Sequence, residues 1–298
     1  MTSRPGSDLV EVVRAAAGRE PTSWERVTRG GYTPAERWIV TFEDATRSFA
    51  KFGSTELVAE WLRLEHRAYV DIGGPFMAGF TGWADGTRPV LLLEDLSVAR
   101  WPPPWRPGDV DRVLETLGLV SATPCPAWAT PVEFLEFFDG WSRIAADPHP
   151  FLGLGLVGTA WLEGSLDALL AAEAPDELQG DELLHLDVRS DNLCFRDDLA
   201  LLVDWNHVTR GNALLDIAAW LPSLASEGGP LPEDVSPDAG IFAAGLAGYF
   251  CSRAAMAPIP DAPGVRAVQL RQARIALPWA ARWLGLPAPD GPAVATSA

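Results

Sequence analysis

Basic residues are scarce in this 298-residue chain: 23 Lys and Arg stand against 40 Asp and Glu, giving a formal charge of -17 and a pI of about 4.6. Polyanions repel such a chain at long range, which argues against nucleic acid and anionic membrane surfaces as partners. Cysteine is also rare. Cys125, Cys194 and Cys251 are odd in number and far apart without paired spacing, so neither a disulfide framework nor a thiolate zinc site is expected. No apolar run approaches the roughly 20 residues of a membrane helix. The start "MTSRPGSDLVEVV" has no apolar signal core, and no internal repeat is found. The expectation is a cytoplasmic globular protein, with nothing to fix its oligomeric state beyond monomer or weak dimer. Core-forming residues are plentiful. At 48% hydrophobic, the chain can build one large domain or two lobes sharing a cleft.

Acidity is concentrated in one region. Residues 173 to 238 hold fifteen Asp and Glu against Arg189, Arg196 and Arg210, so a site built there is expected to favour cations.

Segments 36 to 42 and 46 to 52 are rich in β-forming residues and joined by a short turn, with Trp38, Val40 and Phe42 at period two. They predict a hairpin. Ahead of it, Gly30 and Gly31 permit a tight turn with outward-facing N–H groups. Residues 54 to 71 predict a helix capped by Ser54 or Thr55, with an apolar stripe of Val58, Trp61, Leu62, Tyr69 and Ile72. Glu65 falls inside that stripe and wants a partner, because an unpaired buried charge is costly. A buried strand is expected within 88 to 97, then a Pro-rich joint at "RWPPPWRPGD". Beyond it the pattern predicts helices over about 108–121, 131–146, 158–173, 212–225, 238–255 and 263–285, with Pro278 kinking the last. The plan is therefore α+β and bilobal: a small β-rich part with one helix, residues 1–96, and a larger helical part, residues 97–298.

Between the apolar pairs of "LLHLDVRSDNLCF" stand His185, Asp187, Arg189, Ser190, Asp191 and Asn192, a costly set of groups to desolvate. The runs flanking "RDD" at 196–198 predict a second hairpin, with Asn192 at its start and Asp204 at its end. Two carboxylates and an amide oxygen converging there suit Mg²⁺, which takes oxygen ligands and keeps part of its water or phosphate shell.

His185, Asp187 and Asn192 resemble the His-x-Asp-x-x-x-x-Asn loop of the protein-kinase superfamily. Asp204-Trp205 and the following Gly211, Asp216, Ile217 and Ala218 resemble the pattern of aminoglycoside phosphotransferases and related small-molecule kinases, with Asn212-Ala213 replacing its Asp-Pro. The likeness extends from about residue 25 to 225. It implies that Asp187 accepts the proton of an attacking hydroxyl, and that Asn192 and Asp204 hold Mg²⁺. It implies that Lys51, paired with Glu65, binds the phosphates of ATP or GTP under Gly30 and Gly31, and that the segment containing Glu94 and Leu96 meets the adenine. Arg189 is open between a γ-phosphate contact and a loop-shaping role. His185 and Asp216 are expected to shape the loop through backbone hydrogen bonds.

The implied activity is phosphoryl transfer to a hydroxyl of a small, cationic molecule such as an aminoglycoside. A housekeeping kinase for a choline-like amine, sugar or amino alcohol is the alternative, and a catalytically silent nucleotide-binding module a third. Protein kinase activity is disfavoured, since no Ala-Pro-Glu segment follows Asp204.

Overall fold

The alternation of Trp38, Val40 and Phe42 belongs to a strand with two different faces. In the computed structural model, which describes residues 5–28, 35–260 and 262–291, the chain opens with α1 (Ser7–Ala17), β1 (Pro21–Arg26), β2 (Glu36–Phe42), β3 (Arg47–Phe52), α2 (Glu56–Asp71), β4 (Phe80–Ala84) and β5 (Val90–Glu94). The strands form one antiparallel sheet in the order β1-β2-β3-β5-β4. Trp38, Val40, Phe42, Ala50, Phe52, Val90 and Leu92 pack on one side with Leu9, Val10 and Val13 of α1. Their neighbours in sequence point the other way. There Arg37 pairs in register with Lys51, and Ile39 with Phe49. The short helix α1 and strands β1 and β4 go beyond the elements legible in the sequence, and α1 supplies the cover that makes the outer face a core.

Helix α2 starts where Thr55 accepts a hydrogen bond from Val58 N at 3.2 Å. It buries Val58, Leu62, Glu65 and Tyr69, whereas Trp61 is half-buried. Leu62 and Tyr69 join Leu91 and Leu93 in the main core, which continues into the second part of the chain.

That part contains α3 (Asp109–Ser121), β6 (Thr130–Pro131), α4 (Gly140–Ala146), α5 (His149–Leu152), α6 (Thr159–Ala171), β7 (Glu182–Leu184), β8 (Leu193–Arg196), β9 (Leu199–Leu202), β10 (Thr209–Gly211), α7 (Leu214–Ser226), α8 (Pro232–Val235), α9 (Ala243–Ala254) and α10 (Val265–Trp283). Two expected helices differ. Residues 131–146 instead give a bridge strand, a 3₁₀ turn over Val132–Phe134 and only then α4. Leu135 turns extended, and Phe137 stacks on Tyr249 of α9, so tertiary packing outweighs helix propensity here. Residues 237–242 form a 3₁₀ turn before α9. The hairpin around "RDD" is β8–β9, paired Leu193 to Leu202. No helix among the described residues is long and apolar enough to cross a membrane.

Helices α4 and α9 approach at two glycines. A Cβ on Gly140 would lie 2.0 Å from the carbonyl carbon of Gly248. Gly140→Ala should therefore destabilise the protein by about 1–3 kcal/mol. Gly118→Ala, on an exposed position of α3 with open space around it, should be neutral or stabilise by up to about 1 kcal/mol. Urea unfolding of both variants separates crowding from propensity.

Candidate active site

Lys51 and Glu65 meet because both leave their elements on the same side of the sheet. Lys51 Nζ lies 2.7 Å from Glu65 Oε2 and 2.7 Å from Asp204 Oδ1. Asp204 stands two residues beyond β9, in the left-handed region at φ 68°, and its backbone N–H donates to Glu65. Burial alone would lower the Lys51 pKa, but the two carboxylates outweigh it and hold the ammonium above its ordinary value. Burial pushes Glu65 up to about 7 against the pull of Lys51. For Asp204 the balance is reversed, and Lys51 holds it below its usual value in spite of burial.

The loop that carries Asp187 is tied down by backbone hydrogen bonds. Asp216, in the first turn of α7, accepts from His185 N and Leu186 N, both at 2.7 Å. Between these bonds and Asp187, Leu186 holds φ at 58°, a conformation costing on the order of 1 kcal/mol for a non-glycine residue. His185 accepts from Asp187 N at Nδ1 (3.2 Å), so Nε2 carries the proton and donates to Val203 O at 3.0 Å. This is the backbone role expected for both residues. Burial depresses His185 to about 4 and raises Asp216 to about 6.

Asp187 is oriented from two sides. Asn192 Nδ2 donates to its Oδ2 at 2.7 Å and to its backbone carbonyl at 3.0 Å. Arg189 Nε lies 3.0 Å from Asp187 Oδ1 and 3.3 Å from Asp191 Oδ1. Arg189 thus pairs with the carboxylates of its own loop, whereas the loop-shaping role has it bond loop carbonyls.

Two cavities adjoin these residues. One, of about 810 Å³, has Arg37, Lys51, Glu65, Glu94, Leu96, Asn192 and Asp204 on its walls. The Pro-rich joint contributes Trp101, Pro102 and Pro103. Glu94 accepts from Gly79 N at 3.1 Å and pairs with Arg196. The Leu96 carbonyl accepts from Ala99 N and Trp101 Nε1. Gly30 and Gly31 lie outside the described residues. The second cavity, of about 310 Å³, is bordered by Asp187 and Arg189 with residues of α9 and α10. The Asn192–Asp187 hydrogen bond joins the two. Acidity is not gathered at the second cavity as the composition suggested: of the fifteen carboxylates in 173–238, Asp187 alone lines it.

Among the described residues, no three His, Cys, Asp or Glu side chains form a metal cage. Mg²⁺ needs none, since one or two protein oxygens plus phosphates suffice. Asn192 directs its amide nitrogen to Asp187 and Asp204 binds Lys51 through Oδ1, which keeps Asn192 Oδ1 and Asp204 Oδ2 as hard donors on the wall of the larger cavity. The donor set fits the ion. The bond from Val203 N to Asn192 O, 2.9 Å, keeps the two segments adjacent.

Arg37 and the second-cavity wall were not found from the sequence. For Arg37 the signal was its place at odd phase to Trp38, Val40 and Phe42, which puts it beside Lys51. Lys51 carried a stronger mark: it is the only lysine in the chain.

A β-sheet part with a Lys–Glu pair, set against a helical part with an Asp…Asn loop, defines a protein-kinase-like fold. Solved structures of aminoglycoside phosphotransferases share it. A thermostable mutant of APH(4)-Ia in ternary complex with AMP-PNP and hygromycin B superposes at TM-score 0.59 with 14% identity, covering 94% of this chain and 98% of that one. An aminoglycoside phosphotransferase from Alicyclobacillus acidocaldarius gives 0.55 at 15% identity, covering 91% and 94%. Spectinomycin phosphotransferase APH(9)-Ia, with ADP and spectinomycin, gives 0.50 at 12% identity, covering 85% of each. No family model and no curated protein matches the sequence.

Lys51→Met should leave Glu65 without its cation and destabilise the protein by about 3–5 kcal/mol. Adding Glu65→Leu should restore a large part of that loss, a non-additivity measured by urea unfolding of the two single variants and the double. A pH test is available at His185. Its folded-state pKa is depressed from 6.5 to about 4, so its contribution is present above pH 6.5 and is lost as pH falls through 4. Asp216, raised from 3.8, contributes in the opposite sense, most fully below 3.8 and progressively less as pH rises through 6. The unfolding free energy of wild type relative to His185→Gln should therefore drop by roughly 3 kcal/mol between pH 7 and pH 4, whereas parallel pH profiles would contradict the assignment.

Proposed function

We propose that this protein transfers the γ-phosphate of ATP or GTP to a hydroxyl of a small molecule. The observation that carries the proposal is the Asn192–Asp187 hydrogen bond, which links a cavity containing Lys51 and Asp204 to a second cavity that Asp187 borders. Donor and acceptor then meet at one carboxylate. On this proposal residues 1–96 hold the nucleotide and 97–298 provide the base and the acceptor site.

Each residue has a physical task. Lys51, fixed by Glu65, presents a point charge to the α- and β-phosphates, and Arg37 beside it adds a second cation on the same sheet face. Asn192 and Asp204 would hold Mg²⁺, which when bound neutralises charge on the phosphates. Asp187 orients the acceptor hydroxyl and takes its proton. Arg189 Nε, at 3.0 Å, holds that carboxylate in place from the side opposite Asn192. Glu94 and Leu96 give the base its edge of the larger cavity. Complexes of similar folds with ADP, AMP-PNP, hygromycin B and spectinomycin support a nucleotide and a small-molecule acceptor here.

The test is nucleotide consumption with Mg-ATP and Mg-GTP against hydroxyl-bearing amines, sugars, aminoglycosides and organic acids. Turnover with at least one acceptor is expected, and Asp187→Asn should lower it about 10²- to 10⁴-fold while AMP-PNP binding persists. Full activity in Asp187→Asn, or no turnover across the panel, would reject the assignment.

A further inference from the structure

The cavity beside Asp187 is bordered by more uncompensated positive charge than negative. Its carboxylates are Asp187 and Glu136. Asp187 is held by Arg189 and Asn192, and Glu136, 80% exposed, pairs with Arg143 at 3.0 Å. Arg253, on α9, has no carboxylate partner among the described residues. Its Nη2 donates to the Glu136 carbonyl at 3.2 Å, and its Nη1 lies 3.8 Å from Met256 Sδ, a weak acceptor. Arg266, at the start of α10, lies within electrostatic range of Arg253 and likewise bonds only neutral oxygens, those of Ala257 and Gln269.

Two further features describe the ligand. Phe137 and Tyr249 stack at 4.0 Å and 14°, forming an aromatic wall, with the Arg253 guanidinium 5.6 Å from the tyrosine ring. Gln272 lines the same cavity at 7% exposure, and its side-chain amide makes no hydrogen bond within the described residues. From the cavity wall that amide can donate or accept one hydrogen bond with a ligand.

We infer that the acceptor is a hydroxyl-bearing organic anion with a flat apolar body, its acid group on Arg253, its body against Phe137 and Tyr249, and its hydroxyl at Asp187. The inference rests on the kinase proposal for the hydroxyl alone; the charge preference belongs to the cavity. A polycation would bring like charge against Arg253 and Arg189, with two carboxylates, both already paired, to offset it. A cavity of about 310 Å³ is at the small end of ligand sites and suits a molecule of one or two rings.

Matched probes differing in charge test this on the intact protein. Calorimetric binding of 4-hydroxyphenylacetate is compared with tyramine, and of gluconate with glucosamine, in the presence of Mg-AMP-PNP. In the hydroxyphenyl pair the carboxylate should bind about tenfold or more tightly than the amine, and the sugar acid should bind more tightly than the amino sugar. Arg253→Gln should abolish the preference and Arg253→Glu should reverse it. Equal or tighter binding of the amines, no binding of any probe, or an unchanged preference in both variants would overturn the inference. Nucleotide consumption in parallel samples, with Mg-ATP in place of the analogue, separates the two proposals. Anion preference without consumption would count against the kinase and leave the cavity assignment standing, whereas preferential consumption with amines would do the reverse.

Discussion

One ammonium group between two carboxylates ties the two parts of this protein together. Glu65 comes from the helix packed on the sheet and Asp204 from the loop beyond the second hairpin, and both reach Lys51 at 2.7 Å. In a buried setting neither carboxylate is stable without the cation, and the cation is not stable without them. The strand register follows from this constraint. A slip of one residue in β3 would turn Lys51 into the apolar layer under α1 and bring Ala50 or Phe52 to the cleft. The outer core and the inner site therefore specify each other, each forbidding the alignment that would ruin the other.

The segment around Asp187 is fixed differently, chiefly through hydrogen bonds to its backbone. Asp216 and His185 contribute no charge to the cavity walls around Lys51; they hold peptide groups, one from below through α7 and one across to the strand end at Val203. The left-handed turns at Leu186 and Asp204 persist because hydrogen bonds on either side determine them. What reaches the cleft from this segment is then a small set of oxygens whose directions depend on groups several ångströms away.

Much of this was legible in the sequence because it is local. The hairpins, the capped helix and the Asp187–Asn192 spacing depend on period and on short separations, and Glu65 declared itself by interrupting an apolar stripe. The joint near residue 100 was readable from its prolines. Contacts made over long separations were not. Helix α1 lacks a capping side chain and covers a face that no local pattern reveals, while residues 135–138 leave helical geometry to meet Tyr249 more than a hundred positions away. Composition misled for the same reason: the carboxylates of 173–238 are close in sequence but point to different surroundings, and only the fold shows that Arg253 and Gln272, from outside that region, border the cavity beside Asp187.

The solitary status of Lys51 has a chemical corollary. Every other strongly basic side chain is arginine, so amine-directed chemistry on the side chains of this protein has a single ε-amino target. The Lys51 side chain is 11% exposed and the ammonium proton is retained by two carboxylates, so it presents little free base to an acylating or carbonyl reagent. The protein surface is accordingly blank to lysine acylation, crosslinking and conjugation, and any labelling at Lys51 would report that the junction between its two halves had opened.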